Sequence, residues 1–344
     1  MAQIPDPDAV LVALAQQLQQ QAYQFITVTP LTHQRVLDRP GTGRQATPRA
    51  VLGWNVPLVW PPHPEQAAEV SWLSAHFEAL AAAGWLRRLP DGRWQSSVRL
   101  SSLTVQGRDL LLVHSGYPTQ TADAVFFGPD TYRFVRALQG ALPPPGQVRR
   151  AVELCAGAAP AALTLKHHHP QATVWASDIN PKALQLARIN SQINGLDLQV
   201  LHSDLYAQLE GCFDLIVANP PYLVDAHSRT YRHGGALLGA ELAVRIVAEG
   251  LSRLNPGGQL LLYTGVAIVA GVDGFWQALQ PVLQPWLAQG GQVDYQMLDP
   301  DVFGEELAEP AYQQVERIAA VWLQVCAPAG ADCAETPRTE GGFF

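Results

Sequence analysis

From residue 150 onward the chain consists of short apolar runs separated by longer segments with helical spacing. Three of the runs have the length of buried strands: residues 151–155, 173–176 and 198–202. Residues 181–194 predict a helix, because a proline opens the segment and Gly195 follows it. Strands that alternate with helices predict a parallel sheet covered by helices on both faces.

The alternation continues toward the C-terminus. A fourth strand is predicted over residues 215–219, a long helix over residues 237–254, and a fifth strand over residues 259–263. A helix over residues 274–287 and strands near residues 293–298 and 317–324 follow. We therefore predict a seven-stranded, Rossmann-like α/β domain over residues 116–326, and a flexible tail over residues 327–344.

The first 115 residues have a different pattern. Residues 65–83 predict a helix with four apolar side chains on one face: Val70, Leu73, Phe77 and Leu80. The turn at Pro90-Asp91-Gly92 then predicts a hairpin. A helix followed by a hairpin is the outline of a winged helix, although many small α+β units share it. We expect a smaller accessory domain over residues 1–115 that contacts the substrate.

The composition predicts a folded cytoplasmic protein. Hydrophobic residues make up 48% of the 344, and no apolar run approaches the roughly 18 residues of a membrane helix. Residues 1–8 are acidic and contain prolines, unlike a secretory signal. The four cysteines have no CxxC spacing, so we expect reduced thiols.

The charge is unevenly distributed. Residues 1–150 contain 13 arginines, no lysine and 10 acids, for a net charge of +3; residues 151–344 contain 9 basic and 20 acidic residues, for −11. An acidic C-terminal part argues against a large nonspecific nucleic-acid surface. The arginines of residues 1–150 are compatible with an anionic partner that binds locally.

The predicted fourth strand ends in Asn219-Pro220-Pro221-Tyr222. Two prolines hold the chain in one extended conformation where the strand leaves the sheet, and the carboxyl ends of strands are where open α/β sheets bind ligands. The side-chain oxygen of Asn219 and the carbonyl of Pro220 are two fixed acceptors beside the ring of Tyr222. This arrangement suits a planar substrate with an NH2 group.

Three other strand ends carry candidate binding residues. Glu153 and Gly157 stand at the first strand-to-helix turn, where small residues let the backbone approach a nucleotide. Ala159 takes the place of a common second glycine. Asp178 follows about 20 residues later, in position to accept both ribose hydroxyls, and Asp204 ends the third strand, within reach of an adenine edge.

Together these motifs resemble the class I S-adenosylmethionine-dependent methyltransferases, and among them the branch with an Asn/Asp-Pro-Pro-Tyr/Phe motif that methylates planar nitrogens. The resemblance covers about residues 150–265, including Ser203-Asp204-Leu205-Tyr206 and Leu254-Asn255-Pro256-Gly257-Gly258. It implies S-adenosyl-L-methionine as cofactor. It also implies cofactor contacts at Glu153, Gly157, Asp178, Asp204 and Asn219, and an amine site at Asn219, Pro220 and Tyr222. The segment Phe126-Phe127-Gly128-Pro129 resembles the family's cofactor cover.

The resemblance leaves the methyl acceptor open. We favour an amide or amine of a protein glutamine or a small molecule. One alternative is an N-methyltransferase of rRNA or tRNA bases, against which the acidic C-terminal part weighs. Another, outside the enzymes, is a winged-helix nucleic-acid-binding protein that senses the cofactor, although a sensor has no need of the amine site. The oligomeric state is open.

Two further groups were considered as site residues. The adjacent histidines 167–169 point in different directions on a helix, so we predict a solvated helix end and no metal site. Arg232 and His233 lie just beyond the Asn-Pro-Pro-Tyr motif, where a substrate-contacting loop is expected.

Overall fold

The computed structural model describes residues 6–41, 45–225, 229 and 231–330. Its centre is a sheet of seven long strands in the order β11-β12-β9-β8-β5-β6-β7. They are β5 (Arg150–Leu154), β6 (Thr173–Asp178), β7 (Gln199–His202), β8 (Phe213–Ala218), β9 (Leu254–Val269), β11 (Gln292–Asp299) and β12 (Arg317–Cys326). The short strand β10 (Val272–Asp273) pairs with the end of β9.

The Rossmann-like α/β prediction is confirmed, but the sheet is mixed. Strands β5 to β9 pair in parallel, whereas β12 runs antiparallel to both β9 and β11. The prediction of a wholly parallel sheet was wrong because an apolar run carries no information on strand direction. The NPGG segment also belongs to β9, as an irregularity between Leu254 and Gln259.

Helices cover both faces of the sheet. On one face lie α5 (Pro129–Ala141), α6 (Pro160–His168) and α7 (Pro181–Asn194); on the other lie α8 (Glu241–Gly250) and α9 (Gly274–Ala288). Strand β8 is buried on both sides, since Leu215 and Val217 join the first core and Ile216 and Ala218 the second. This explains its unbroken apolar run. The helix predicted over residues 237–254 is interrupted, because Leu237 and Leu238 have positive φ before α8 begins.

The N-terminal part contains helices α1 (Pro7–Gln20), α2 (Pro30–Leu37), α3 (Ser71–Ser74) and α4 (Phe77–Ala82). Its strands form two separate ribbons, β1 (Leu86–Arg88) with β2 (Trp94–Ser96), and β3 (Val98–Val105) with β4 (Arg108–Ser115). The helix predicted over residues 65–83 is broken into short segments, although its four apolar side chains are buried as predicted. A winged helix is not confirmed.

Three smaller expectations concern the termini and the thiols. Among the described residues, no helix is long and apolar enough to cross a bilayer. Most of the predicted tail lies outside the described residues, and at its start the amide of Ala327 donates to the carbonyl of Gly258 (2.8 Å). Cys155 and Cys326 are free thiols, but Cys212 is disulfide-bonded, so the expectation of reduced thiols was wrong for that residue.

Two buried asparagines of α7 attach the β3–β4 ribbon to the part of the chain that contains the central sheet. The side chain of Asn190 accepts from the amide of Val113 (2.7 Å) and donates to its carbonyl (3.0 Å). One turn later, Asn194 makes the same pair of bonds with Leu111 (3.0 and 2.9 Å). The asparagines therefore pair with β4 as a neighbouring strand would. Asn190 also donates to the carbonyl of Ala158 (3.0 Å), which connects the ribbon to the turn after β5.

We expect Asn190→Ala to lower the free energy of unfolding by about 1–3 kcal/mol, because it leaves buried backbone groups of Val113 without partners. Urea denaturation followed by circular dichroism measures the change. Gln192→Ala is the matched control, since Gln192 is exposed on the same helix. Equal stability of the two variants would contradict the proposed attachment.

Candidate functional site

A cavity of about 170 Å³ opens at the carboxyl ends of β5, β6, β7 and β8. Open α/β sheets bind ligands at this edge, because the turns that follow parallel strands converge there. All the residues predicted from sequence to form the cofactor and amine sites line it: Glu153, Gly157, Asp178, Asp204, Asn219, Pro220 and Tyr222. Their individual roles stay predictions.

The turn after β5 has an unusual backbone. Cys155, Gly157 and Ala159 all have positive φ (52°, 53° and 60°), a conformation that is strained for residues other than glycine. Ala159 stands where a second glycine is common, and its left-handed backbone supplies the physical reason for that preference. The turn brings the backbone of Gly157 to the cavity wall and leads into α6.

Glu153 connects the end of β5 to the start of α6 through hydrogen bonds. Its buried carboxylate accepts from the amides of Ala161 (3.2 Å) and Ala162 (2.7 Å) in the first turn of α6. Burial raises the pKa of Glu153 to about 8, against the opposing effect of the two amide bonds. Glu153 thus caps a helix, a structural task that the sequence alone did not predict.

Asp178 holds the turn from the neighbouring strand. One carboxylate oxygen accepts from the amide of Gly157 and the other from the amide of Asn180, both at 2.8 Å. Burial raises the pKa of Asp178 above its ordinary value. Each oxygen keeps a further lone pair, so a carboxylate at the cavity wall can still accept from a ligand.

Asp204 differs from the other acids of the cavity. It is exposed, and its nearest cationic partner is Arg245, at 3.9 Å. A solvated ion pair of this length contributes little to stability. Asp204 is therefore available to a ligand at the mouth of the cavity.

The Asn-Pro-Pro-Tyr turn leaves β8 with its aromatic ring fixed in place. The ring of Tyr222 lies so close to Gly265 that a Cβ added there would be 2.3 Å from it. On another side the ring meets Phe303 edge-on, with centroids 5.9 Å apart. Gly265 therefore provides space for the ring, and the two contacts define one orientation of the aromatic wall.

Asp130 is a site residue that sequence reasoning missed. It lies in the first turn of α5, lines the cavity, and is 4% exposed. Its carboxylate accepts from the hydroxyl of Tyr263 (2.6 Å) and the side-chain amide of Asn219 (3.3 Å). Burial raises its pKa. An acid at the start of a helix usually only caps it, so the sequence gave no sign of contacts with two distant strands.

Of the two residues considered beyond the motif, only Arg232 belongs to the cavity lining in the described structure. Its guanidinium pairs with Glu306 and lies 3.4 Å from Asp225, which also pairs with Arg229. His233 instead accepts through Nδ1 from the amide of Asp225 (3.2 Å). The cavity wall is thus joined to the segment around Glu306 by ion pairs.

The histidines 167–169 do not form a uniformly solvated helix end. His169 is buried, and His168 contacts Gln106 and the carbonyl of Pro143 (3.0 Å). The prediction of solvation was wrong for His169, which is 1% exposed and packs edge-on against the ring of His168. Within the described residues, no cluster of histidine, cysteine and acidic side chains could hold a metal ion.

Comparison with known proteins supports this location of the site. A family model described as the methyltransferase small domain matches residues 131–267. The release factor glutamine methyltransferase of Deinococcus radiodurans is 42% identical over 123 residues, covering 33% of this chain and 44% of that protein. The ribosomal protein uL3 glutamine methyltransferase of Neisseria gonorrhoeae is 38% identical over 131 residues, covering 34% of this chain and 44% of that protein.

A solved 16S rRNA methyltransferase of T. thermophilus is 22% identical, and its match covers 75% of this chain and 62% of that one. Its TM-score of 0.43 is too low to support a conclusion about function. The chain spans less than half the length of the two glutamine methyltransferases. The matched residues 131–267 include β5 to β8 and the turns that line the cavity. Residues 131–267 thus match the model of the methyltransferase small domain, and the chain is similar over part of its length to the two protein-glutamine N-methyltransferases.

Proposed function

We propose that the protein is an S-adenosyl-L-methionine-dependent N-methyltransferase that methylates the side-chain amide of a glutamine in a protein. The observation that carries the proposal is that a nucleotide-type turn and an Asn-Pro-Pro-Tyr turn open into one cavity. A methyl donor and an amide can therefore meet there. The similarity of residues 131–267 to the methyltransferase small domain supports the same activity.

The residues present fit the cofactor. The carboxylate of Asp178 is fixed by two backbone amides and keeps acceptor capacity for the ribose hydroxyls. Ile179 is 48% exposed and lines the cavity, so it offers an apolar surface to an adenine ring beside Asp204. The lining also includes the carboxyl groups of Asp178 and Asp204, whereas Arg232 supplies the single guanidinium among the described lining residues. Carboxylates at this part of the cavity suit a cationic sulfonium.

The cofactor supplies an electrophilic methyl group, and the protein positions the nitrogen that attacks it. The lone pair of an amide nitrogen is delocalised, so attack requires the NH2 group to lose planarity. Hydrogen bonds from that group to the oxygen of Asn219 and the carbonyl of Pro220 favour this change as positive charge develops. The ring of Tyr222 holds the planar amide by stacking. The proton leaves after transfer, so no strong base is required.

A protein glutamine is the acceptor that the observations favour. Both curated relatives described above are named as glutamine methyltransferases of proteins. Among the described lining residues the one guanidinium, on Arg232, is paired with Glu306 and Asp225, so it is poorly placed to hold the phosphates of a base methyltransferase substrate. Such a protein substrate would be met in the cytoplasm, where we place the enzyme.

We also propose that residues 1–115 form an accessory unit that contacts the substrate. A second, smaller cavity is lined by Arg87 and Ser96 of the β1–β2 ribbon, by the adjoining Ser97 and by Lys182 of α7. Ala124 lines both cavities, so the two are adjacent. A chain segment that enters the main cavity can therefore touch the ribbon as well.

Asp178→Ala should weaken S-adenosyl-L-methionine binding by about 1–3 kcal/mol, because two ribose hydroxyls and two backbone amides lose an acceptor. Isothermal titration calorimetry with the wild-type protein should show one cofactor per chain. Asp197→Ala is the control, since Asp197 is exposed and lies outside the cavity lining. Wild-type affinity in the Asp178 variant would refute the assigned cofactor site.

Asn219→Ala should lower turnover by about 100- to 1,000-fold, the usual effect of removing one preorganised polar partner of a developing charge. Its affinity for the cofactor should change much less, because the side chain faces the acceptor. Single-turnover methylation and calorimetry separate the two effects. A near wild-type rate would show that the Asn-Pro-Pro-Tyr turn is not the amine site.

The acceptor class can be identified with radiolabelled cofactor and cell extract. We expect transfer of label to survive nuclease treatment and to be lost after protease treatment, because a protein carries the amide. Purified release factor and ribosomal protein uL3 are the first individual substrates to test. Label that is lost with nuclease and survives protease would replace the proposal with a nucleic-acid base methyltransferase.

A further inference from the structure

A buried carboxylate lies behind the amine site. It belongs to Asp130 in the first turn of α5, which contacts Asn219 just beyond the end of β8. It is almost fully buried, yet it lines the cavity. A carboxylate in such a place needs partners, because an unpaired buried charge is strongly unfavourable.

The partners come from two neighbouring strands. The hydroxyl of Tyr263, on β9, donates to one oxygen of Asp130 at 2.6 Å. The amide nitrogen of Asn219, just beyond β8, donates to the other oxygen at 3.3 Å. Within the described part of the chain, the side chain of Asn219 makes no other hydrogen bond to the protein. Tyr263 therefore fixes the rotation of the carboxylate, and the second oxygen is left to face Asn219.

The contact with Asp130 determines which end of the Asn219 amide faces the cavity. An asparagine side chain has an NH2 group and an oxygen of nearly equal size, and a half-turn exchanges them. An ionised carboxylate can only accept hydrogen bonds. In the structure the NH2 group of Asn219 points at Asp130, with 3.3 Å between its nitrogen and the carboxyl oxygen, which turns the oxygen of Asn219 away from Asp130. In the opposite orientation two oxygens would face each other.

The ring of Tyr222 completes the arrangement. Its hydroxyl is buried and faces the carboxyl group of Asp130, with which it interacts as a hydrogen-bond donor. The charge of Asp130 adds to burial in raising the pKa of Tyr222. The hydroxyl thus stays protonated, and the amine site presents acceptor oxygens and a neutral ring.

We propose that Asp130 is a positioning residue that selects the orientation of Asn219 in which its oxygen accepts from the substrate. The amine site is thereby made selective for NH2 groups over acceptors of similar shape. The inference deepens the proposed N-methyltransferase function and rests on it. It concerns a residue outside the Asn-Pro-Pro-Tyr motif, in a helix more than 80 residues earlier in the chain.

Asp130→Asn tests the proposal. The new amide can still accept from Tyr263 with its oxygen, but it then presents an NH2 group to Asn219, which must turn its own oxygen away from the substrate. We expect kcat to fall by about 100-fold or more, as for loss of the Asn219 oxygen itself. The dissociation constant of S-adenosyl-L-methionine, measured by calorimetry, should stay within about twofold.

An exchange variant distinguishes orientation from a general structural role. In Asp130→Asn combined with Asn219→Asp, the carboxylate at position 219 accepts from the amide at position 130 and again offers an oxygen to the substrate. We expect kcat to recover to within about tenfold of wild type. Asp299→Asn is the control for charge alone, because Asp299 pairs with Arg133 of α5 and is not part of the cavity lining. It should keep the wild-type rate.

The outcomes separate this inference from the proposed function. A wild-type protein that methylates no acceptor contradicts the proposed function. An active wild type with an equally active Asp130→Asn variant overturns the inference alone. So does a folded exchange variant as slow as Asp130→Asn. If Asp130→Asn does not fold, recovery in the exchange variant still supports the proposal; failure of both to fold assigns the carboxylate to stability and overturns the positioning role.

Discussion

The turn between β5 and α6 is the constraint on which the rest of the site depends. Its left-handed residues include Cys155 and Ala159, whose side chains disfavour that conformation. Such a backbone persists only where its surroundings hold it. Three polar side chains from three different elements do so: Glu153, Asp178 and Asn190. The bonds of Glu153 and Asn190 are buried, so their loss would leave backbone groups without partners at a substantial cost in free energy.

The hydrogen bonds of Asn190 connect the N-terminal part to the part that contains the sheet, through helix α7. Asn190 bonds to β4 and to the cofactor turn with the same side chain. The apolar side chains of the β3–β4 ribbon and of α7 share a core. Removal of the ribbon would expose that core and release a partner of the turn. The N-terminal part therefore contributes to the shape of the cavity.

The sequence predicted the catalytic half well because its information is local. The helix at Pro181–Asn194 was predicted to the residue, since proline, an asparagine cap and Gly195 mark its ends. The cavity residues at the ends of β5, β6, β7 and β8 were found for a related reason, because strand ends converge at one edge whatever the loops do. The position of strand β12 in the sequence was predicted, but its antiparallel direction was not. An apolar run carries no information on the direction of the strand beside it.

The missed features depend on contacts between distant segments. Asp130 looks like an ordinary acid in the first turn of a helix, and only the fold brings Tyr263 and Asn219 to it, 133 and 89 residues away. The prediction of one helix over residues 65–83 was wrong although its local pattern was correct. Its apolar side chains are buried, as their spacing indicated, but they lie on several short helical segments. The spacing of apolar residues does not show where such a helix is broken.

The acids of the cavity fall into two groups, and the difference bears on what the site can bind. Glu153 and Asp130 are buried and committed to protein partners, and burial raises the pKa of each. Asp204 is exposed at the mouth, while Asp178 is committed to the turn yet retains free lone pairs. The charge that a ligand meets is therefore concentrated at Asp178 and Asp204. Under the proposed function, the oxygens of Asn219 and Pro220 are neutral acceptors at the other end of the cavity, so they suit the uncharged NH2 group of an amide.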